Sequence, residues 1–116
     1  MLETLKLAID INAEWANFYS CMAYPGSKLY DDAQKFLWYQ KPETWSAYSQ
    51  HSYDCQPLGT KYLTPTQVLE FRDEAFNSYF ANEDYLSMIE TKFGLETRKH
   101  IESMTTIKLK RKSLGD

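Results

Sequence analysis

At 116 residues and 13.7 kDa, with 43% hydrophobic and 25% charged residues, the chain has the length and composition of one globular domain with a modest core. Its net charge is -3, and all but one of its acids lie in residues 1–107, so the body repels phosphates and the composition argues against nucleic acid as a partner. No apolar run approaches the roughly 20 residues of a membrane span, no signal peptide follows Met1, and Cys21 and Cys55 are too few for a disulfide framework; the expectation is a cytoplasmic chain with free thiols.

From the start, Leu2, Leu5, Ala8, Ile9 and Ile11 fall at helical spacing and predict an amphipathic helix over residues 2–11. Residues 16–24 are aromatic, small or apolar and almost uncharged, and predict a buried strand. Pro25 and Gly26 then turn the chain, and Ser27 caps a helix running to about Phe36 with Asp31 and Asp32 in its first turns. A strand, turn and helix in this order place backbone N–H groups where open α/β sheets and barrels bind ligands, so the turn of Tyr24, Pro25, Gly26 and Ser27 is a candidate cofactor or substrate turn. A lone strand cannot satisfy its own backbone groups. Either a short strand lies in the middle of the chain, or the neighbouring strands belong to polypeptide outside it.

Residues 37–63 carry two prolines, a glycine and no sustained period, although Pro42 to Ser49 could form a helical turn. The three tryptophans Trp15, Trp38 and Trp45 all lie in or before this stretch, which is too aromatic for disorder. Trp45, Tyr48, His51 and Tyr53 are its substrate-pocket candidates, since rings with a few polar tips line sites for large flat ligands; equally, these rings could pack the segment onto the helices. His51 and Cys55 would share a face in a helix, but two ligands do not make a zinc site, and no metal is expected.

The last region, 64–116, reads as three helices. Thr64-Pro65-Thr66-Gln67 is a capping box with proline at the first helical position, opening a helix to about Ala81 whose apolar stripe is Val68, Leu69, Ala75, Phe76, Tyr79 and Phe80. Asn82 starts a second, carrying Tyr85, Met88, Ile89 and Phe93 inward and stopping at Gly94. A third is predicted from about Glu96 to Lys112 on a thin stripe of Ile101, Met104 and Ile107, with the basic run at its C-terminus. The predicted fold is mainly α with an α+β remnant: helix, strand and helix over 1–36, an aromatic irregular segment over 37–63, and a helical layer over 64–116.

The segments ANFYSCMAYPGSKLYDDA, WSAYSQHSYDCQPL and KYLTPTQVLEFRDEAFNSYF, with residues 85–111, resemble the C-terminal region of radical S-adenosylmethionine enzymes that also bind cobalamin. Within them the chain is similar to the magnesium-protoporphyrin IX monomethyl ester oxidative cyclases and related iron-sulfur oxidoreductases. The resemblance implies that Tyr24 to Ser27 follow the last strand of a partial (β/α) barrel and that the chain shapes a small-molecule substrate pocket. It implies a parent polypeptide with an iron-sulfur cluster, S-adenosylmethionine and cobalamin. The Cys-x-x-x-Cys-x-x-Cys cluster motif is absent here, so the chain is expected to be an excised C-terminal piece, inactive and cofactor-free alone, whose partner is the rest of the parent. The other reading is a self-contained helical interaction module that docks a protein through its aromatic segment.

Overall fold

A computed structural model describes residues 1–36 and 40–116, so Trp38 of the aromatic segment lies outside the described residues. Among them the elements are α1 (Leu2–Ile11), α2 (Lys28–Lys35), α3 (Pro65–Phe80), α4 (Glu83–Phe93) and α5 (Leu95–Thr105), with 3-10 turns at Ser46–Tyr48 and Lys112–Leu114. The chain is mainly α. It forms two compact units, Met1–Phe18 with Asp73–Lys108 and Tyr19–Arg72 with Leu109–Asp116, the division falling inside α3.

The first unit is built on aromatic rings. Tyr79 and Phe80 from the end of α3, Tyr85, Leu86 and Ile89 of α4 and Ile101 of α5 make one buried cluster. Tyr79 meets Phe80 at 5.1 Å and Phe80 meets Tyr85 at 5.2 Å between centroids, both edge to face, an arrangement that adds about 0.5–1.5 kcal/mol per pair beyond burial. Asn82 caps α4 by accepting from the backbone N–H groups of Asp84 at 2.9 Å and Tyr85 at 3.4 Å, and Gly94, with φ of 88°, ends it. The Arg98 guanidinium reaches Glu83 and Glu90 on α4 and Glu102 on α5 at 3.0, 3.1 and 2.9 Å. These carboxylates raise its pKa, the Glu102 hydrogen bond most.

Some predicted inward residues face solvent: Leu2, Ile11, Phe93 and Ile107 are all exposed. Helix α1 buries no residue fully and only Ala8 and Ile9 are packed against the cluster. The third C-terminal helix stops at Thr105 rather than near Lys112. At its end the Thr106 and Ile107 N–H groups turn to the Ser103 and Met104 carbonyls at 3.3 Å, a tighter pattern, while Thr105 Oγ1 donates to the Glu102 carbonyl at 2.8 Å and Thr106 Oγ1 to that of Ser103 at 2.7 Å. Of the basic run Lys108, Lys110, Arg111 and Lys112, none therefore lies at the C-terminus of α5; Arg111 precedes and Lys112 opens the last 3-10 turn.

In the second unit the strand predicted at 16–24 is not found. Residues 15–24 are irregular, and no strand occurs among the described residues. The physical reason is a side chain. Buried Gln50 accepts from the Ser20 N–H through Oε1 at 3.0 Å and donates to the Ser20 carbonyl through Nε2 at 2.9 Å. One primary amide thus does for Ser20 what a neighbouring strand's peptide groups would do. Cys21 offers its carbonyl to the Leu58 N–H at 2.9 Å. Downstream, the turn forms as predicted: Gly26 has φ of 86°, the Ser27 N–H donates to the Tyr24 carbonyl, and Ser27 Oγ accepts from the Tyr30 N–H at 3.1 Å to cap α2.

A small core of Met22, Cys55 and Leu69 underlies this unit. The capping box of α3 is reciprocal, Gln67 N–H donating to Thr64 Oγ1 at 3.2 Å and Thr64 N–H to Gln67 Oε1 at 2.9 Å. Before it, Gly59 runs so close to the Leu63 carbonyl and the Pro65 ring that a Cβ would meet each at 3.0 Å, a tight fit that a side chain could take only if these neighbours gave way slightly.

Candidate functional site

The aromatic segment and the Tyr24–Ser27 turn both belong to the second unit, and rings bring them together. Tyr48, on the 3-10 turn and buried, lies 6.1 Å from Tyr24 and 5.9 Å from Trp45 between centroids. Trp45 is 79% exposed and Tyr24 half exposed, so the ladder of three rings has a buried middle ring between two that reach solvent. Pro25, Gly26 and Ser27 turn beside this ladder with Pro25 and Gly26 exposed. Tyr53 is drawn elsewhere, its hydroxyl donating to the Asp116 carbonyl oxygen at 3.0 Å.

His51 is exposed and lies against buried Arg72 of α3, with Arg72 Nη2 at 3.4 Å from His51 Nδ1. Cys55 does not share a face with it, because residues 51–55 form turns and no helix. Cys55 is buried and Cys21 exposed, both free thiols, and the described residues hold no group of three or more His, Cys, Asp or Glu side chains placed for a metal ion. Two separated thiols do not fit a cluster that needs three thiolates, so no step is assigned to iron–sulfur chemistry on this chain.

A cleft of about 690 Å³ opens in the same unit, lined by Lys41, Thr44, Asp54, Cys55, Gln56 and Lys112 among others. None of Trp45, Tyr48, His51 and Tyr53 lines it. Asp54 accepts from Thr44 Oγ1 at 2.6 Å and Ser46 Oγ at 2.7 Å, hydrogen bonds that hold its carboxyl below the ordinary value. Lys41 stands 5.7 Å from the Tyr30 ring centroid, and its hydrogen bond to Tyr30 raises the ammonium pKa.

Sequence reasoning passed over Lys41, Asp54, Arg72 and Arg111, for a common reason. Each is an ordinary charged residue in linear order, marked only by neighbours drawn in from elsewhere in the chain. Arg111 is the extreme case: the basic run is expected at a helix C-terminus, yet Arg111 is fully buried and donates to the Gln50 carbonyl at 2.9 Å and the Ser52 carbonyl at 2.8 Å. No protein-family model, curated protein or solved structure matches this chain.

Proposed function

We propose that this chain is the C-terminal region of a cobalamin-dependent radical S-adenosylmethionine iron-sulfur oxidoreductase, of the magnesium-protoporphyrin IX monomethyl ester oxidative cyclase type, where it completes the barrel and shapes the substrate pocket. The observation that supports this reading is the Pro25–Gly26 turn leading into a capped helix: Gly26 has φ of 86° and Ser27 Oγ caps α2, the turn-and-helix half of a barrel's last unit. The sequence resemblance over nearly the whole chain supports the same reading.

The cluster, S-adenosylmethionine and cobalamin belong in this proposal to the rest of a cytoplasmic parent polypeptide, and supply its radical chemistry. This chain contributes surface: the ring ladder of Tyr24, Tyr48 and Trp45 for a flat substrate, and the exposed His51. A second reading rests on a separate observation. Trp45, at 79% exposed, and half-exposed Tyr24 and Tyr53 would also suit an interaction module that docks a protein partner.

Mapping the transcript that encodes the chain, then purifying its product anaerobically, separates the two. The expected result is a continuous upstream reading frame with a Cys-x-x-x-Cys-x-x-Cys motif, whose product cleaves S-adenosylmethionine reductively. An in-frame stop directly upstream, with no such motif, overturns the enzyme reading and leaves the interaction module.

A further inference from the structure

The cleft of about 690 Å³ falls within the roughly 300–1,000 Å³ that small-molecule sites occupy, and the charges lining it are balanced. Lys41 and Lys112 stand against Glu43 and Asp54. Phosphate, or any other multiply charged anion, would meet two carboxylates there, so the lining favours a ligand with no net charge.

Two of the four charges already serve the fold. Lys41 is hydrogen-bonded to Tyr30 and sits over its ring, and Asp54 accepts from the Thr44 and Ser46 hydroxyls. That leaves one of each sign. Glu43 and Lys112 are exposed, and among the described residues neither makes an ion pair, with each other or with any third group. Their backbones are nonetheless anchored: Glu43 follows buried Pro42, and the Lys112 N–H donates to the Tyr53 carbonyl at 2.9 Å. The lining also holds the hydroxyls of Thr66 and Ser113, neither hydrogen-bonded among the described residues, and the apolar Ala47, Pro57 and Pro65.

We propose that this cleft binds a small zwitterion with an apolar body, of which a dipeptide with free ends is the simplest, its ammonium on Glu43 and its carboxylate on Lys112. The Thr66 and Ser113 hydroxyls serve its peptide group, and the proline rings its side chains. The cleft shares no residue with the ring ladder of Tyr24, Tyr48 and Trp45, so the site stands apart from the enzyme reading above.

Backbone amide shifts of the nitrogen-15-labelled chain at neutral pH read the site during titration with alanyl-phenylalanine. The N-acetyl and C-amide forms of the same dipeptide, and inorganic phosphate, are titrated separately. The expected result is saturable movement of the Glu43, Thr44, Asp54, Gln56, Thr66, Lys112 and Ser113 amides by the free dipeptide, with each capped form bound about tenfold more weakly. Glu43→Gln should weaken the free dipeptide about tenfold and leave the N-acetyl form unaffected, while Lys112→Gln should do the same with respect to the C-amide form. Both side chains are exposed, so the variants should melt with the original chain. No saturable shift up to millimolar dipeptide overturns the proposal, as does equal binding of the capped forms or indifference to both substitutions. Phosphate bound more tightly than the dipeptide also overturns it, by making the cleft an anion site.

Discussion

Tyr79 and Tyr85 show how much a single phenol can organise. Both rings are 1% exposed, and both hydroxyls donate to backbone carbonyls of the otherwise irregular stretch after α1, Tyr79 to Ala13 at 2.5 Å and Tyr85 to Glu14 at 3.0 Å. Lys92 also pairs with the Glu14 carboxylate, and that hydrogen bond lowers its pKa. Burial pushes the Tyr85 phenol up to about 12, with the neighbouring Tyr79 adding to the rise, and burial raises Tyr79 as well. The sign of the pH dependence follows. An unfolded tyrosine ionises near pH 10 and the folded Tyr85 near 12, so its contribution is intact below pH 10 and is lost as pH climbs from about 10 to 12. The loss is on the order of 2 kcal/mol. Tyr85→Phe should cost about 0.5–1.5 kcal/mol at neutral pH, from the hydrogen bond given up, and should flatten the alkaline limb. Urea melts at neutral pH and at pH 11 check both; an unchanged alkaline limb in the variant would assign that limb to other groups.

Among the elements, what was legible in sequence divides by range. The bounds of α1, the cap of α2, the capping box of α3 and the Asn82 and Gly94 stops of α4 all depend on residues within about four positions of one another, and each was readable from the chain. The strand at 16–24 failed because the group that satisfies Ser20 arrives from Gln50, 30 residues away, where no periodicity points to it. The third C-terminal helix failed differently. Its hydrophobic stripe ran on to Ile107, but the hydroxyls of Thr105 and Thr106 closed the last turn. Thr64 tests the local class cleanly, because it is exposed and its hydroxyl caps α3. Thr64→Ala should cost about 1 kcal/mol in a chemical melt, and Thr64→Ser or Thr64→Asp should recover most of it. Loss without recovery would mean the side chain matters for a reason other than capping.

For the molecule as a whole, the decisive property is that each compact unit is assembled from stretches far apart in sequence. The second unit closes only because the tail returns: the Lys112 N–H donates to the Tyr53 carbonyl at 2.9 Å, the Arg111 N–H to Asp116 Oδ2 at 3.0 Å, and the Arg111 guanidinium to the carbonyls beside His51. Of the candidate site, the aromatic residues were therefore visible by type. Their arrangement was not, because it depends on a tail and a helix that linear order keeps distant. This separates the four ring positions by what each should do when changed. Trp45 is 79% exposed and Tyr48 is buried at 9%, although their rings touch. Trp45→Ala removes surface that was mostly in water and should leave thermal stability within about 0.5 kcal/mol of the original. Tyr48→Ala opens a cavity and should cost about 3 to 5 kcal/mol, a large share of what a domain this size has. If the ring ladder receives a flat substrate in the parent enzyme, Trp45→Ala should nonetheless lower its turnover, through a raised KM, while Tyr48→Phe keeps the fold. Thermal melting of this chain, set beside steady-state kinetics of the parent with the same change, makes the comparison. A Trp45→Ala parent with unaltered KM would remove the ladder from the substrate pocket and leave Tyr48 as packing.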